Sequence, residues 1–373
     1  MSTNIAQSSV KSSKQNSLTS GQRPKWLVPA IMVAAIVIGA ALAALISFNI
    51  ALWAILAAVI FLIAAPIAVG AIEGGRQGKN AAMTYLVYAA FILAVIPLIS
   101  VVWTVLARGI PTMSVELLTT TMDGITGYQD QQAAEEGSVP GGILHAIVGS
   151  IIVTLCATII SVPIGLLTAI YQVEYSNGNL LSRIITFLVD VMTGIPSIVA
   201  GLFASALFVL ILGDEGVRMG IIGAVALTVL MIPTVVKSTE EMLKVVPMEL
   251  REASYALGVR KWRTILKVVI PTAISGIASG VTLAIARVVG ETAPLMVTIG
   301  FLDEMNFNPF NDWMSSLPTF IYQQLMRPIS PTTPDPSTDR AWAAALVLIV
   351  FVMLLNLAAR LIASAFAPKT AGR

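Results

Sequence analysis

Eight mostly apolar stretches dominate this chain, and each is long enough, at about 20 residues, to cross a lipid bilayer as a helix. They run roughly over 27–48, 50–72, 81–107, 143–170, 186–212, 219–238, 270–300 and 341–366. Backbone in hydrocarbon must satisfy its own polar groups, so the pattern predicts an all-α, polytopic membrane protein with about eight transmembrane helices. Composition agrees: 57% of residues are apolar and 11% charged, against about 25% charged in soluble proteins. Mean hydropathy is +0.87. A chain this apolar cannot clothe itself in polar surface, which excludes a secreted domain, a cytosolic enzyme and a disordered adaptor. The net charge of +2 gives no footprint for nucleic acid. One cysteine, Cys156, excludes an internal disulfide, and one histidine, His145, leaves no histidine metal cluster and no Ser-His-Asp triad. His145 reads as an interfacial residue without a role.

Lys and Arg set the orientation. With the N-terminus inside, 17 of them fall on inner segments. These are Lys11, Lys14, Arg23, Lys25, Arg76, Lys79, Arg183, Lys237, Lys244, Arg251, Arg260, Lys261, Arg263, Lys267, Arg360, Lys369 and Arg373. The outer loops keep Arg108, Arg218, Arg327 and Arg340, and Arg287 lies within a span. Both termini are therefore expected in the cytoplasm. The Ser/Gln/Asn/Lys-rich start, residues 1–26, reads as a disordered cytoplasmic tail rather than a secretory signal. Residues 27–72 read as a tight hairpin of two spans, turning at Phe48 and Asn49. No ionisable residue lies within it, which places it peripheral to any transport path.

The inner loop between the sixth and seventh stretches covers residues 237–271. Met248 to Leu257 has helical character, with Pro247 at the helix start and Gly258 where a helix end wants a left-handed residue. Leu250, Ala253, Ser254 and Leu257 share one face by the three-and-four spacing, which suits a helix on the membrane surface.

Arg287 and Glu291 lie four apart, which on one continuous helix puts them on the same face, about 6 Å apart along the axis. Charges at membrane depth mark substrate or ion paths, or join helices as buried salt bridges. Gly280, Ala286, Gly290 and Pro294 nearby allow close helix approach and broken backbone, which favours a path. Lys237, near Glu240 and Glu241, reads either as snorkelling to the headgroups or as part of that path. Asp190 reads as a helix-end acid. A guanidinium in a low-dielectric bundle grips an oxyanion bidentately, and Glu291 is able to accept a proton from a phosphate hydroxyl. The residues alone reach a small oxyanion and no further. A proton-coupled secondary transporter using Glu291 and Asp190, and a membrane sensor whose inner loop binds a regulator, stay open at this point.

Glu252-Ala253-Ser254, then Gly258 after three residues, then Val268-Val269-Ile270-Pro271 after nine, resembles the EAA loop of bacterial ABC-importer permeases. Ser254 replaces the usual third Ala, and Val268 and Ile270 the usual Ile and Leu. GGILHAIVGSIIVT at 141–154, VDVMTGIPSIVAGLF at 189–203, STEEMLKVVPMELREASYALG at 238–258 and AIARVVGETAPLM at 284–296 resemble the PstA-type permease subunits of bacterial phosphate ABC transporters. The likeness covers residues 81–367.

The resemblance implies a six-helix type I ABC importer permease domain over 73–373, with the EAA coupling loop at 237–271 and the 27–72 hairpin as an addition. It implies one half of a phosphate pathway in the bacterial cytoplasmic membrane. A second homologous permease, two ATPase subunits and an extracytoplasmic phosphate-binding protein would complete the machine. Glu252, Ala253 and Gly258 would contact the ATPase. Arg287, Glu291 and Lys237 would line the pathway, although the family commonly carries Arg at the position of Lys237. Sulfate or molybdate is the alternative cargo. No G-x-x-x-x-G-K-[ST] loop occurs, and Gly74 to Lys79 has the wrong spacing. The chain is thus expected to be no enzyme and to bind no cofactor, with ATP and Mg on the partner ATPase.

Overall fold

The computed structural model describes residues 23–46, 48–176 and 178–366. Residues 1–22 of the expected tail, with Lys11 and Lys14, and also Lys369 and Arg373, lie outside the described residues. Every regular element among the described residues is helical, in keeping with the all-α expectation. Seven helices are long and apolar enough to cross a membrane, and a bent pair brings the number to eight.

The chain divides into two compact units, residues 1–102 and 103–373. In the first, α1 (Leu27–Ile46) and α2 (Ile50–Glu73) form a hairpin. Asn49 starts α2 by accepting the Ala51 N–H at 2.9 Å, and the Trp53 indole donates across the hairpin to the Ile36 carbonyl at 3.0 Å. At its open end the Arg23 N–H donates to Glu73 Oε1 at 2.9 Å. α3 (Gly75–Thr112) is longer than the predicted third span, and the division between the units falls within it. Large apolar side chains such as Ile63, Phe91 and Leu93 stand exposed on α2 and α3, as a bilayer requires.

The second unit is built around α9 (Gly220–Val245), whose Ile222, Ala226, Leu227, Met231 and Val235 are almost wholly buried. α6 (Leu144–Ile170) and α12 (Ile270–Val289) pack along it, and α15 (Asp335–Phe366) packs on α12. A Cβ at Gly280 would fall 2.2 Å from Ser238 Oγ, and one at Gly276 2.2 Å from Met242 Sδ. Glycine at both positions leaves room for the Ser238 and Met242 side chains where α12 meets α9.

Two predicted spans are interrupted. The fifth becomes α7 (Leu180–Thr193) and α8 (Ser197–Leu212), bent by 110° at Gly194-Ile195-Pro196. Pro196 lacks an N–H and biases Ile195 away from helical torsions, so one straight helix cannot form. The seventh starts earlier than predicted, with α11 (Lys261–Thr264) and a π-helical turn at Ile265–Val269 leading into α12. It stops at Val289, and α13 (Ala293–Thr298) follows after a break.

One polar lock organises the far end of the second unit. Arg340, on α15, is fully buried and grips Asp130 of α5 (Gly127–Glu136) through two bonds of 2.6 and 2.8 Å. The same guanidinium donates to the Pro140 carbonyl, Gln324 Oε1 and Ser337 Oγ. Gln324 belongs to α14 (Leu317–Met326), so one side chain joins α5, α14 and α15. Burial pushes the Asp303 carboxyl above its ordinary range, with Arg340 drawing it down and Asp123 raising it further. His145, at the start of α6, is buried edge-on to Phe320.

Arg340→Ala leaves Asp130 charged and unpaired in the interior, at a cost of about 3–5 kcal/mol. Thermal unfolding of the purified protein is expected to show a large loss. Asp130→Leu combined with Arg340→Met is expected to restore most of it. A single variant that melts like the wild type would show that this lock does not hold the fold.

Candidate functional site

Two places in the second unit collect the predicted residues. The first is the inner loop. After α9 ends, Val246 and Pro247 lead into α10 (Met248–Ala256), in keeping with the helix start expected at Pro247. Gly258 has φ +74°, as its position predicted. Its N–H donates to the Tyr255 carbonyl at 2.9 Å, and the Val259 N–H to the Ser254 carbonyl at 3.3 Å. That is the paired-bond helix ending which satisfies carbonyls otherwise left open.

α10 packs on its own chain through polar residues, and of the face expected at the membrane surface only Ser254 is covered. Leu250 and Leu257 are 42% and 84% exposed, whereas Arg251 and Ser254 are buried. The cause lies beneath the helix. Arg251 Nη1 donates to the Val246 carbonyl at 2.6 Å, and Nη2 to the Leu243 carbonyl at 2.9 Å, so it caps the end of α9. Its Nε and Nη2 also reach Glu174 Oε1 at 3.1 and 2.9 Å. Glu174 sits in a π-helical turn, Tyr171–Tyr175, that prolongs α6. Ser254 Oγ meets Thr264 Oγ1 at 2.8 Å, and the Lys261 ammonium lies 5.1 Å from the Tyr175 ring centre. Polar side chains thus fasten α10 to three helix ends. Met248, Leu250, Glu252, Ala253 and Leu257 are left facing outward. Of the predicted coupling residues, Glu252, Ala253 and Gly258 are all exposed.

The second place is the set of charges at membrane depth. α12 stops at Val289, and the Glu291 N–H donates back to the Val288 carbonyl at 3.2 Å in a turn. The one-helix relation expected for Arg287 and Glu291 therefore does not hold. Among the described residues no ion pair joins them. Arg287 stands instead on an exposed stripe of α12 with Ser279 and Leu283, each four residues from the next. Glu291 is half-buried in the break.

Lys237 does not pair with Glu240 or Glu241. Its ammonium meets Asp190 Oδ1 at 2.8 Å, joining α9 to α7 next to the 110° bend, and both side chains stay about half exposed. The Gly280–Ser238 contact puts Arg287 seven residues further along α12, or about 10 Å from the level of Lys237. Arg251 and Glu174 are the members that sequence reasoning missed, and the pairing of Asp190 with Lys237 was not foreseen. The one visible signal for Arg251 was its three-residue spacing from Ser254 on an otherwise mixed helix.

Residues 161–372 match the family of binding-protein-dependent transport system inner membrane components. The chain is 44% identical over 287 residues to the phosphate transport system permease protein PstA 1 of Mycobacterium tuberculosis (strain ATCC 25618 / H37Rv), covering 77% of this chain and 88% of that one. It is 42% identical over 283 residues to the phosphate transport system permease protein PstA of Mycobacterium leprae, covering 76% and 88%. Against the protein of that name from Haemophilus influenzae, identity is 35% over 286 residues, covering 77% and 94%.

A Cβ at Gly258 would meet nothing within 4 Å, so any cost of substitution there comes from the backbone alone. Gly258→Val is expected to lose about 1–2 kcal/mol locally. Gly258→Asn, which tolerates left-handed torsions, is expected to lose little. Hydrogen exchange over 248–260 in the purified protein checks this. Equal protection in the two variants would refute the left-handed helix end.

Proposed function

The chain belongs to the family of binding-protein-dependent transport system inner membrane components, and from that premise we infer that it is the permease subunit of an ATP-driven importer for inorganic phosphate. The identity of 35–44% to phosphate permeases, over most of both chains, carries this reading. The exposed cation at Arg287 is the physical observation that supports it. A guanidinium on the flank of a membrane helix, without an ion-pair partner among the described residues, needs a polar surface or a water path beside it. A second, homologous permease set against this flank would enclose such a path.

In the working subunit, Arg287 grips the phosphate oxygens through parallel N–H donors as the ion leaves water. Glu291, held in the break just beyond the helix end, takes or returns the proton of a phosphate hydroxyl. Lys237 lies about 10 Å closer to the inner loop, and Asp190 occupies its ammonium until an anion competes for it. The exchange between carboxylate and phosphate keeps the cation solvated throughout. The chain makes and breaks no covalent bond.

Energy enters through α10. Its outward apolar face, with Glu252, Ala253 and Gly258, docks in an ATPase subunit, and Arg251 passes the displacement to α9 and α6. Two ATPases bind ATP and Mg, and an extracytoplasmic binding protein delivers phosphate at the opposite end. Both termini lie in the cytoplasm, and the membrane is the bacterial cytoplasmic membrane.

Phosphate uptake by the assembled transporter tests the role of Arg287. Arg287→Gln is expected to lower uptake at least tenfold with assembly intact, since each charge-assisted bond contributes about 1.5–3 kcal/mol. Arg287→Lys recovers little, because an ammonium cannot reproduce the planar grip. Arg287→Gln with Glu291→Gln stays inactive. Uptake restored by that double change would leave Arg287 a structural partner of Glu291 and sink the gripping role.

A further inference from the structure

A cavity of about 210 Å³ lies where the start of α9, α13 and the end of α14 meet. Its lining is Arg218, Met296, Phe301, Tyr322, Gln323 and Arg327. Two guanidiniums 109 positions apart in the chain are thus brought to one concave site, and no carboxylate lines it. Among the described residues neither guanidinium forms an ion pair, and Arg218 lies over the Trp313 ring at 5.0 Å. Arg340, by contrast, is spent on Asp130.

Arginine does not lose its proton, so two of them around one small space repel unless an anion lies between. The Tyr322 hydroxyl and the Gln323 amide add uncharged donors. Every polar side chain at the site can donate to an oxyanion, and its only formal charges are the two guanidiniums. Met296, Phe301 and the Tyr322 ring supply apolar wall, while Arg327 and Tyr322 stay open to solvent, from which an ion can enter.

The position adds a direction. Arg218 precedes α9, and Arg251 caps the other end of that 26-residue helix. The cavity and the coupling helix are therefore about 39 Å apart. Met296 belongs to α13, the segment beyond the break that holds Glu291, so the cavity adjoins the interrupted span that carries Arg287.

We propose that this cavity is a reception site for inorganic phosphate, in which Arg218 and Arg327 hold the ion before it passes to Arg287. The proposal rests on the phosphate-permease reading and adds two residues and an order of events to it. Phosphate handed over at this end meets a pair of fixed charges at once, which shortens its return to bulk water. Trp313, stacked on one of the two guanidiniums, reports on occupancy.

The experiment uses the whole assembled transporter in lipid nanodiscs, without binding protein or ATP. Inorganic phosphate is titrated at constant ionic strength, and the fluorescence signal is the difference between wild type and Trp313→Phe. A saturable phosphate response is expected, with none to chloride. Apparent affinity should fall about tenfold in Arg218→Gln and in Arg327→Gln, and the response should vanish in the double variant. Absence of a response in the wild type, or a response unaltered in the double variant, overturns the site. In a second titration phosphate-free binding protein is added alone; a Trp313 response to it, with none to phosphate, also overturns the site and would mark the arginines as contacts for an acidic docking surface. Uptake is measured on the same complex reconstituted into sealed proteoliposomes, with binding protein and ATP supplied. A complex that imports phosphate without the Trp313 response loses the reception site and keeps the permease reading. A complex that gives the response but imports no phosphate loses the permease reading and keeps the anion site.

Discussion

The buried guanidinium of Arg251 is the interaction on which the inner end of the second unit depends. Its contacts reach Glu174 and the Leu243 and Val246 carbonyls, so α10, α9 and the turn ending α6 share a single charge. Burying an arginine is costly, and the cost is offset only when nearly every donor finds an oxygen. Here a carboxylate and two open helix-end carbonyls supply those oxygens. Removing Glu174 would strand a cation, and removing Arg251 would strand an anion and unsatisfied carbonyls. The element facing outward is therefore fixed by polar geometry, and its apolar surface is free for a partner.

The same economy explains where the charges at membrane depth stand. Each of the two interrupted spans places an acid beside a break, Asp190 before Gly194 and Glu291 after Gly290. Broken backbone in a membrane persists only where protein or water meets its polar groups. Carboxylates at those points keep company with amides and carbonyls that already demand a polar setting. Lys237 joins one of them directly, while Arg287 remains on an open flank.

Much of this was legible in the sequence for a simple reason: lipid imposes length and apolarity on every crossing, and both are local properties. The eight stretches, the helix start at Pro247 and the left-handed turn at Gly258 all follow from a few neighbouring residues. The contacts that fix the sites do not. Arg251 meets Glu174 across 77 positions and Arg340 meets Asp130 across 210, and no periodicity announces either partner. Leu250, Ala253 and Leu257 on α10 are open, as a surface helix allows, but the polar underside that holds the helix was not legible. Here the buried side meets helix termini, which reward hydrogen-bond donors over hydrocarbon. Arg287 and Glu291 lost their shared face because Gly290 and Pro294 end the helix between them and its continuation.

α9 deserves a mechanical reading. It is stiff along its length, as any well-hydrogen-bonded helix is, except at Pro233, where the ring removes one backbone bond and crowds the carbonyl four residues back. Above that point α9 packs against Leu295 and Ile299; below it, Ser238 and Met242 pack against α12. A rod with a single soft joint does not spread an imposed displacement evenly. It concentrates the bending at the joint and swings the two stiff arms about it. A thrust delivered at Leu243 and Val246 would therefore reappear as an angle between the two halves of the bundle, at a depth chosen by one proline.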